Sequence, residues 1–269
     1  MNGLRQMLLE CCRYVAWAIG GVLGLGLVCG GMAAPVDPEP PRYPAWFVHP
    51  PSEGGHWAVG YARTYATWST SVAEARADAY TRLHRRWELR LNGERLYEAV
   101  PGLPMAFRGA RQESTPLQDT LRAVTYVDSA RVGALTLVLA HVPESDTVDG
   151  FPPPVVSLSR PFAADPPSWV EHGRSSSGET VRAVGVAPRY YYPASSWTLA
   201  EHYARWELAV RAGAHVDRLR KTTSDRQHTV MRVRADVEMR RVRVVARWQD
   251  ADACYVLMEA DVRPRVPPR

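Results

Sequence analysis

The chain reads as an α+β protein made of two tandem β-α-β-β modules behind an export leader. Three observations predict this. The first is a repeated order of motifs: Trp46, then Ala58-Val59-Gly60-Tyr61-Ala62, then an Ala-rich helix opening at Ser71; later Trp169, then Ala183-Val184-Gly185-Val186-Ala187, then a second opening at Thr198. Self-similarity at a spacing of about 125 residues marks a duplicated unit. The second is the switch of hydrophobic period within each copy, from strand-like runs to helical stripes and back. The third is a leader of apolar and Gly residues from Tyr14 to Val28, flanked by Arg5 and Arg13.

At 269 residues with 46% hydrophobic content, the chain is long enough for two packed cores. The net charge of +5 comes from 33 basic and 28 acidic residues, and Lys221 is the one lysine. The arginines are scattered rather than gathered into a stripe, which argues against nucleic acid as a partner.

The apolar core of the leader is short for a spanning helix and fits a secretory signal. Two processing readings stand beside each other. Gly31-Met32-Ala33 offers small residues for release before Ala34, and Leu27-Val28-Cys29-Gly30 resembles a lipobox with Cys29 as the acylated residue. An uncleaved anchor is the third reading. All three place the body outside the cytoplasm. Residues 1–33 are therefore the signal or anchor, and residues 34–45, dense in Pro, form an extended spacer.

The body divides into a first module at 46–143, a Pro-rich linker at 144–168, a second module at 169–263 and a disordered tail at 264–269. Within the linker, Val155 to Leu158 can add a short edge strand. Each module opens with a strand, His56 to Ala62 and Val181 to Ala187. Gly60 and Gly185 hold matching places in these strands, read as a simple kink rather than as the close approach of another backbone.

Each helix carries a capping-box pattern, Ser71-x-x-Glu74 and Thr198-x-x-Glu201, which sets its start and accounts for both glutamates. Val72, Ala75, Ala79, Leu83 and Trp87 form one apolar stripe, and Leu199, Tyr203, Trp206, Val210 and Ala214 the other. Leu91 to Gln118 reads as irregular, punctuated by Pro101-Gly102, Pro104 and Gly109. Closing strands follow at Ala123–Val127 and Ala134–Ala140, and at Arg241–Trp248 and Cys254–Met258. Polar or small residues at Asp128–Gly133 and Gln249–Ala253 make the hairpin connections.

Between Val230 and Trp248 the apolar residues change from odd positions to even ones. One strand with one buried face cannot do this, so Arg240-Arg241 marks a β-bulge or break. Arg232, Arg234, Arg243 and Arg247 are then expected outward, on a solvated face interleaved with Asp236 and Glu238.

No catalytic, cofactor or metal site is expected. His84 and Glu88 are spaced i, i+4 with no third ligand in reach of the pattern. His202 reads as a helix-surface residue, and Cys254 as a buried small hydrophobe in a body without a cysteine partner. Six tryptophans, Trp46, Trp57, Trp68, Trp169, Trp197 and Trp206, serve the core better than a carbohydrate platform.

Together the leader, Pro-rich spacer, Trp, Ala-Val-Gly-x-Ala strand and Ala-rich helix resemble the Lpp-twenty family of bacterial membrane-associated lipoproteins, which includes outer-membrane lipoproteins of the flagellar apparatus. The chain differs in having Val28 before Cys29 and in carrying two modules. The resemblance implies a dodecin-like core and a non-enzymatic envelope role, with other envelope proteins or further copies of the chain as partners and lipid or an uncleaved leader holding it to the membrane. A periplasmic module binding a small ligand or an envelope polysaccharide is the alternative, and an enzyme is the reading with least support.

Overall fold

The computed structural model describes residues 40–99, 106–116, 124–144, 155, 158–173, 175–177, 179–213, 215–223 and 226–262. The leader, Cys29, the processing positions around Ala33, most of the linker and the tail lie outside the described residues. Among the described residues no helix is long and apolar enough to cross a membrane.

The fold is α+β, with antiparallel pairing throughout the three described sheets. In the first half, strand β1 (Tyr43–Pro44) runs into a single-turn helix α1 (Ala45–Val48), followed by β2 (His56–Arg63) and helix α2 (Trp68–Trp87). Strands β3 (Glu88–Ala99), β4 (Ala106–Pro116), β5 (Thr125–Val132) and β6 (Leu135–Val142) come next. The linker contributes β7 (Ser159–Arg160), which pairs β1. The edge strand expected at Val155 to Leu158 is not found there: Val155 and Leu158 are outside any strand, and the pairing residues are Ser159 and Arg160.

The second half begins with α3 (Ser168–His172), β8 (Ser175–Ser177), β9 (Thr180–Pro188) and helix α4 (Pro193–Gly213). It ends with β10 (His215–Thr223), β11 (Arg226–Gln249) and β12 (Ala253–Val262). Besides the β1–β7 pair, the sheet order is β2-β6-β5 in a three-stranded sheet and β4-β3-β11-β12-β9-β8 in a seven-stranded one, with β10 paired to β11.

Both long helices cross a strand at its glycine. A methyl group on Gly60 would overlap the Ala75 carbonyl oxygen and the Ala79 amide. One on Gly185 would overlap the Ala200 carbonyl oxygen and the Ala204 amide in the same way. These glycines are therefore needed for close helix–strand approach, not as kinks, and the small Ala residues complete the fit. The closing hairpins match as well. β5 has a register irregularity between Tyr126 and Asp128, and β11 has one between Val244 and Ala246.

The layers stack. Ala75, Ala79 and Leu83 of α2 cover one face of β2 and β6, through Ala62, Val138, Ala140 and Val142. The opposite face, carrying Val59, Tyr61, Leu137 and Leu139, joins the main core with Trp197, Ala200 and Ala204 of α4. Helix α4 lies in turn on β9 and β12, through Ala183, Ala187, Val256 and Met258. On the far side of that sheet Trp169 of α3 packs with Val184, Ala246 and Leu257.

Several expectations need correction. The described parts of Leu91–Gln118 are strands rather than irregular: β3 and β4 pair from Leu89↔Pro116 to Glu98↔Ala106. Pro101-Gly102 and Pro104 lie outside the described residues, Gly109 is within β4, and β3 pairs β11 from Ala99↔Thr229 to Glu88↔Arg240. Asp128 to Val132 belong to β5, and the turn is Gly133-Ala134, where Gly133 has φ +57.

The helices also start a turn earlier than their capping boxes. Thr67 Oγ1 accepts the Thr70 N–H, and α4 already opens at Pro193. Ser71 Oγ accepts the Tyr65 N–H and Ser196 Oγ the Tyr190 N–H, each at 2.8 Å, so these serines pin the incoming loop. Glu74 is exposed. Of the stripe read in the sequence for α4, Trp206 is buried as expected but Leu199, Tyr203 and Val210 are half-buried, and Trp197, Ala200, Glu201, Ala204 and Leu208 close the face instead. Ala214 lies outside the described residues.

The break at Arg240-Arg241 is present. Arg241 has φ +49, and the β11–β12 register shifts between Arg240 and Arg243. A non-Gly residue in the left-handed region fits a bulge that turns the strand over.

Candidate functional site

The strongest concentration of charge lies where the two halves meet. Glu201 of α4, 2% exposed, pairs with Arg82 of α2, with Arg247 of β11 at 3.0 Å and with Arg205 at 3.5 Å. The Tyr61 hydroxyl donates to Oε1 of the same carboxylate, the oxygen that also takes Arg247, while Arg82 and Arg205 are on Oε2. Arg82 also reaches Asp78 at 2.6 Å and Thr198 Oγ1 at 3.2 Å, and its guanidinium lies 4.0 Å over the Tyr61 ring. Arg247 donates to the Phe47 carbonyl at 2.7 Å and lies 4.8 Å over that ring.

Sequence periodicity builds this arrangement. Asp78–Arg82 and Glu201–Arg205 are i, i+4 acid–base pairs, which bring each arginine over its own helix turn. β2 ends its sheet, so Arg82 can pass its edge to reach Glu201. Arg247, expected outward, is 2% exposed, because both faces of this part of β11 are covered. One face meets α4 and Phe47; on the other, Trp248 donates to the Ala163 carbonyl at 2.9 Å.

Electrostatics fixes the protonation states. Burial alone would raise the Glu201 carboxyl, but Arg82, Arg247 and Arg205 outweigh it and hold it at about 2. Burial pushes the Tyr61 phenol well above its ordinary range, so it stays a neutral donor. For Arg82, burial opposes the charge while Glu201 and Asp78 more than restore it. The balance differs for Arg86 and Arg205, which burial brings down to about 10. Near neutrality Glu201 is thus the anion and Tyr61 the neutral donor of the cluster.

A cleft of about 40 Å³ opens beside the cluster. It is lined by Arg82, Arg85, Arg86, Arg205, Arg243 and Arg247 against Glu201. The Nε atoms of Arg85, Arg86, Arg205 and Arg247 are buried there without a hydrogen-bond partner. This surplus of cations repels metal ions and suits an anion. Among the described residues no group of His, Cys, Asp or Glu can hold a metal. His84 lies beside Tyr80, at 4.6 Å between rings, and the Glu88 side chain is outside the described residues.

Other expected residues fall into place singly. Cys254 is a buried free thiol that burial raises to about 12, hence unreactive. His202 is not a surface residue: it is half-buried, and burial followed by Arg205 and Arg95 lowers it to about 4. Trp46, Trp57, Trp197 and Trp206 are core residues, Trp169 is half-buried, and Trp68 is 45% exposed. The polar face expected along β11 is laced to β3 by Arg90–Asp236 and Arg234–Glu94 pairs at 3.0 and 3.2 Å, while Arg243 bonds Glu259 at 2.7 Å.

A second feature is the outer side of α2. Trp68, Val72, Arg76, Tyr80, Tyr126 and Ser129 line an open groove there, with the Arg76 guanidinium 4.9 Å over the Tyr126 ring. Comparison of the chain with protein-family models, with curated proteins and with solved structures finds no match.

Proposed function

We propose that the chain is a non-enzymatic bacterial cell-envelope protein, built from two copies of a dodecin-like β-α-β-β module and acting by binding other proteins. Its place is the periplasm or outer membrane, in an envelope or flagellar assembly, held by a lipid on Cys29 or by its leader. The observation that carries this reading is the matched construction of the halves. The Gly60–Ala75–Ala79 and Gly185–Ala200–Ala204 crossings, and irregularities at the same point of both closing hairpins, support one module used twice. The charged cluster supports it too, since its pairs are spent on joining the halves. The Lpp-twenty resemblance rests on the sequence motifs.

The test is export. A periplasm-dependent reporter fused after residue 45 is expected to be active, and activity of a cytoplasm-dependent reporter alone would overturn the reading. Cys29→Ser is expected to abolish lipid labelling; if the native chain takes up no label, release before Ala34 is the better account.

The arginine-lined cleft favours a second reading, a periplasmic module for a small ligand, here a small anion. Arg85, Arg86 and Arg205 have more positive charge than the nearby carboxylates neutralise. Inorganic phosphate is then expected to raise the melting temperature of the parent and not of Arg85→Gln. Equal shifts in both would dismiss it.

A further inference from the structure

Within the stack of layers, the helix of the second half is covered and the corresponding helix of the first half is open. Aligning Gly60, Ala75 and Ala79 on Gly185, Ala200 and Ala204 sets Val72 at the place of Trp197 and Arg76 at that of Glu201. It also sets Arg82 at the place of Glu207 and Tyr61 at that of Val186. Strand pairing extends the match: Ser129 faces Val138, the partner of Gly60, and Arg247 faces Val256, the partner of Gly185.

Inside the molecule, α1 and the outer face of the first sheet cover α4. Phe47 meets Trp197 at 5.1 Å between rings, and Tyr61 and Arg82 close on Glu201. The corresponding covered face in the first half would be the groove of Val72, Arg76 and Ser129, which is open. The corresponding covering face is the outer side of the second sheet. There α3 is seated by Trp169 just as α1 is by Trp46, Val186 is 40% exposed, and Glu207 stands where Arg82 stands.

We propose that the α2 groove of one copy receives the outer face of the second sheet of another copy, repeating between molecules the step that stacks the two halves within one. This deepens the reading above and rests on its duplicated module. Charge supports the occupant. Within the molecule a base, Arg82, meets an acid, Glu201; between molecules the acid Glu207 meets the base Arg76. Attraction is kept with the signs exchanged. The exchange also gives specificity, because the Arg82-bearing face of a second copy would bring a like charge to Arg76.

The contact is head-to-tail, with different surfaces on the two copies, so it propagates into a ring or filament rather than stopping at a dimer. It is weaker than the internal one. Val72 replaces Trp197, Val186 replaces Tyr61, and Val170 replaces Phe47, so less apolar surface is buried.

The experiment is sedimentation velocity on the full chain in mild detergent over a wide concentration range. The parent is expected to form concentration-dependent species larger than a dimer. Arg76→Glu and Glu207→Arg are each expected to weaken association by on the order of a hundredfold. Mixing the two variants, or combining both changes in one chain, is expected to restore it. Arg76 is exposed, so Arg76→Glu should melt like the parent; Val186→Asp tests the opposite face if Glu207→Arg does not fold. A parent that stays monomeric at every concentration, or Arg76→Glu assembling as the parent does, overturns the proposal. A chain that is exported but monomeric sinks this interface alone, whereas one that assembles but stays in the cytoplasm sinks the envelope reading alone.

Discussion

Arg82 of α2 and Glu201 of α4 form an ion pair across the two halves, with side chains 8% and 3% exposed. A pair this closed is costly to break from one side, because the remaining partners keep their charge without water. Glu201→Gln leaves Arg82, Arg205 and Arg247 facing one another and is expected to cost about 3–5 kcal/mol in urea denaturation. Arg205→Met is expected to cost much less, since its contact to Glu201 is at 3.5 Å and burial already opposes its charge. Equal losses in the two variants would contradict the assignment of Glu201 as the hub.

Stability should fall in two stages as pH drops. His56 and His202 are both lowered to about 4, first by burial and then by nearby arginines. Unfolded, they bind protons from about pH 6.5. The unfolded state therefore holds more protons between about 6.5 and 4, and stability is lost across that window. Glu201, held at about 2, contributes fully above its unfolded value and is lost from about pH 4.5 down to 2. Denaturation curves against pH check this, and His202→Gln should flatten the upper stage alone.

The two glycine crossings should behave alike. Gly60→Ala and Gly185→Ala each drive a methyl into helix backbone, which cannot retreat as a flexible side chain can. Each is expected to cost about 3 kcal/mol or more. Gly133→Ala, with open space around it but φ +57, is expected to cost about 1–2 kcal/mol. Thermal melts would contradict the matched-halves account if one crossing tolerated Ala.

Cys254 should resist thiol reagents in the folded chain and react on unfolding, because burial holds its thiol at about 12. Peptide mass spectrometry after labelling, with and without denaturant, reads this directly.

The parts of the fold legible in the sequence were those with a periodic or local signal. The strands at Gly60 and Gly185, the two helices and the closing hairpins follow from apolar period. The bulge at Arg241 follows from the change of apolar parity in one strand. The β3–β4 hairpin was hidden, because its strands carry Arg, Glu and Gln whose partners, such as Asp236 for Arg90, lie far along the chain. Glu201 was masked by a capping pattern that explains an acid at that spacing without tertiary structure. The burial of Arg247 depends on Phe47, two hundred residues away, and no local pattern carries it. Only the i, i+4 pairs Asp78–Arg82 and Glu201–Arg205 were a visible trace of the cluster.

The most direct test of the account is crosslinking in intact cells. A photoreactive residue replacing Ala73, exposed on the α2 groove, is introduced in the native host and the adducts are fractionated. The account predicts protein adducts in the envelope fraction, lost when Arg76→Glu is added. Adducts confined to the cytoplasm, or an envelope-localised chain that crosslinks to no protein, would contradict it.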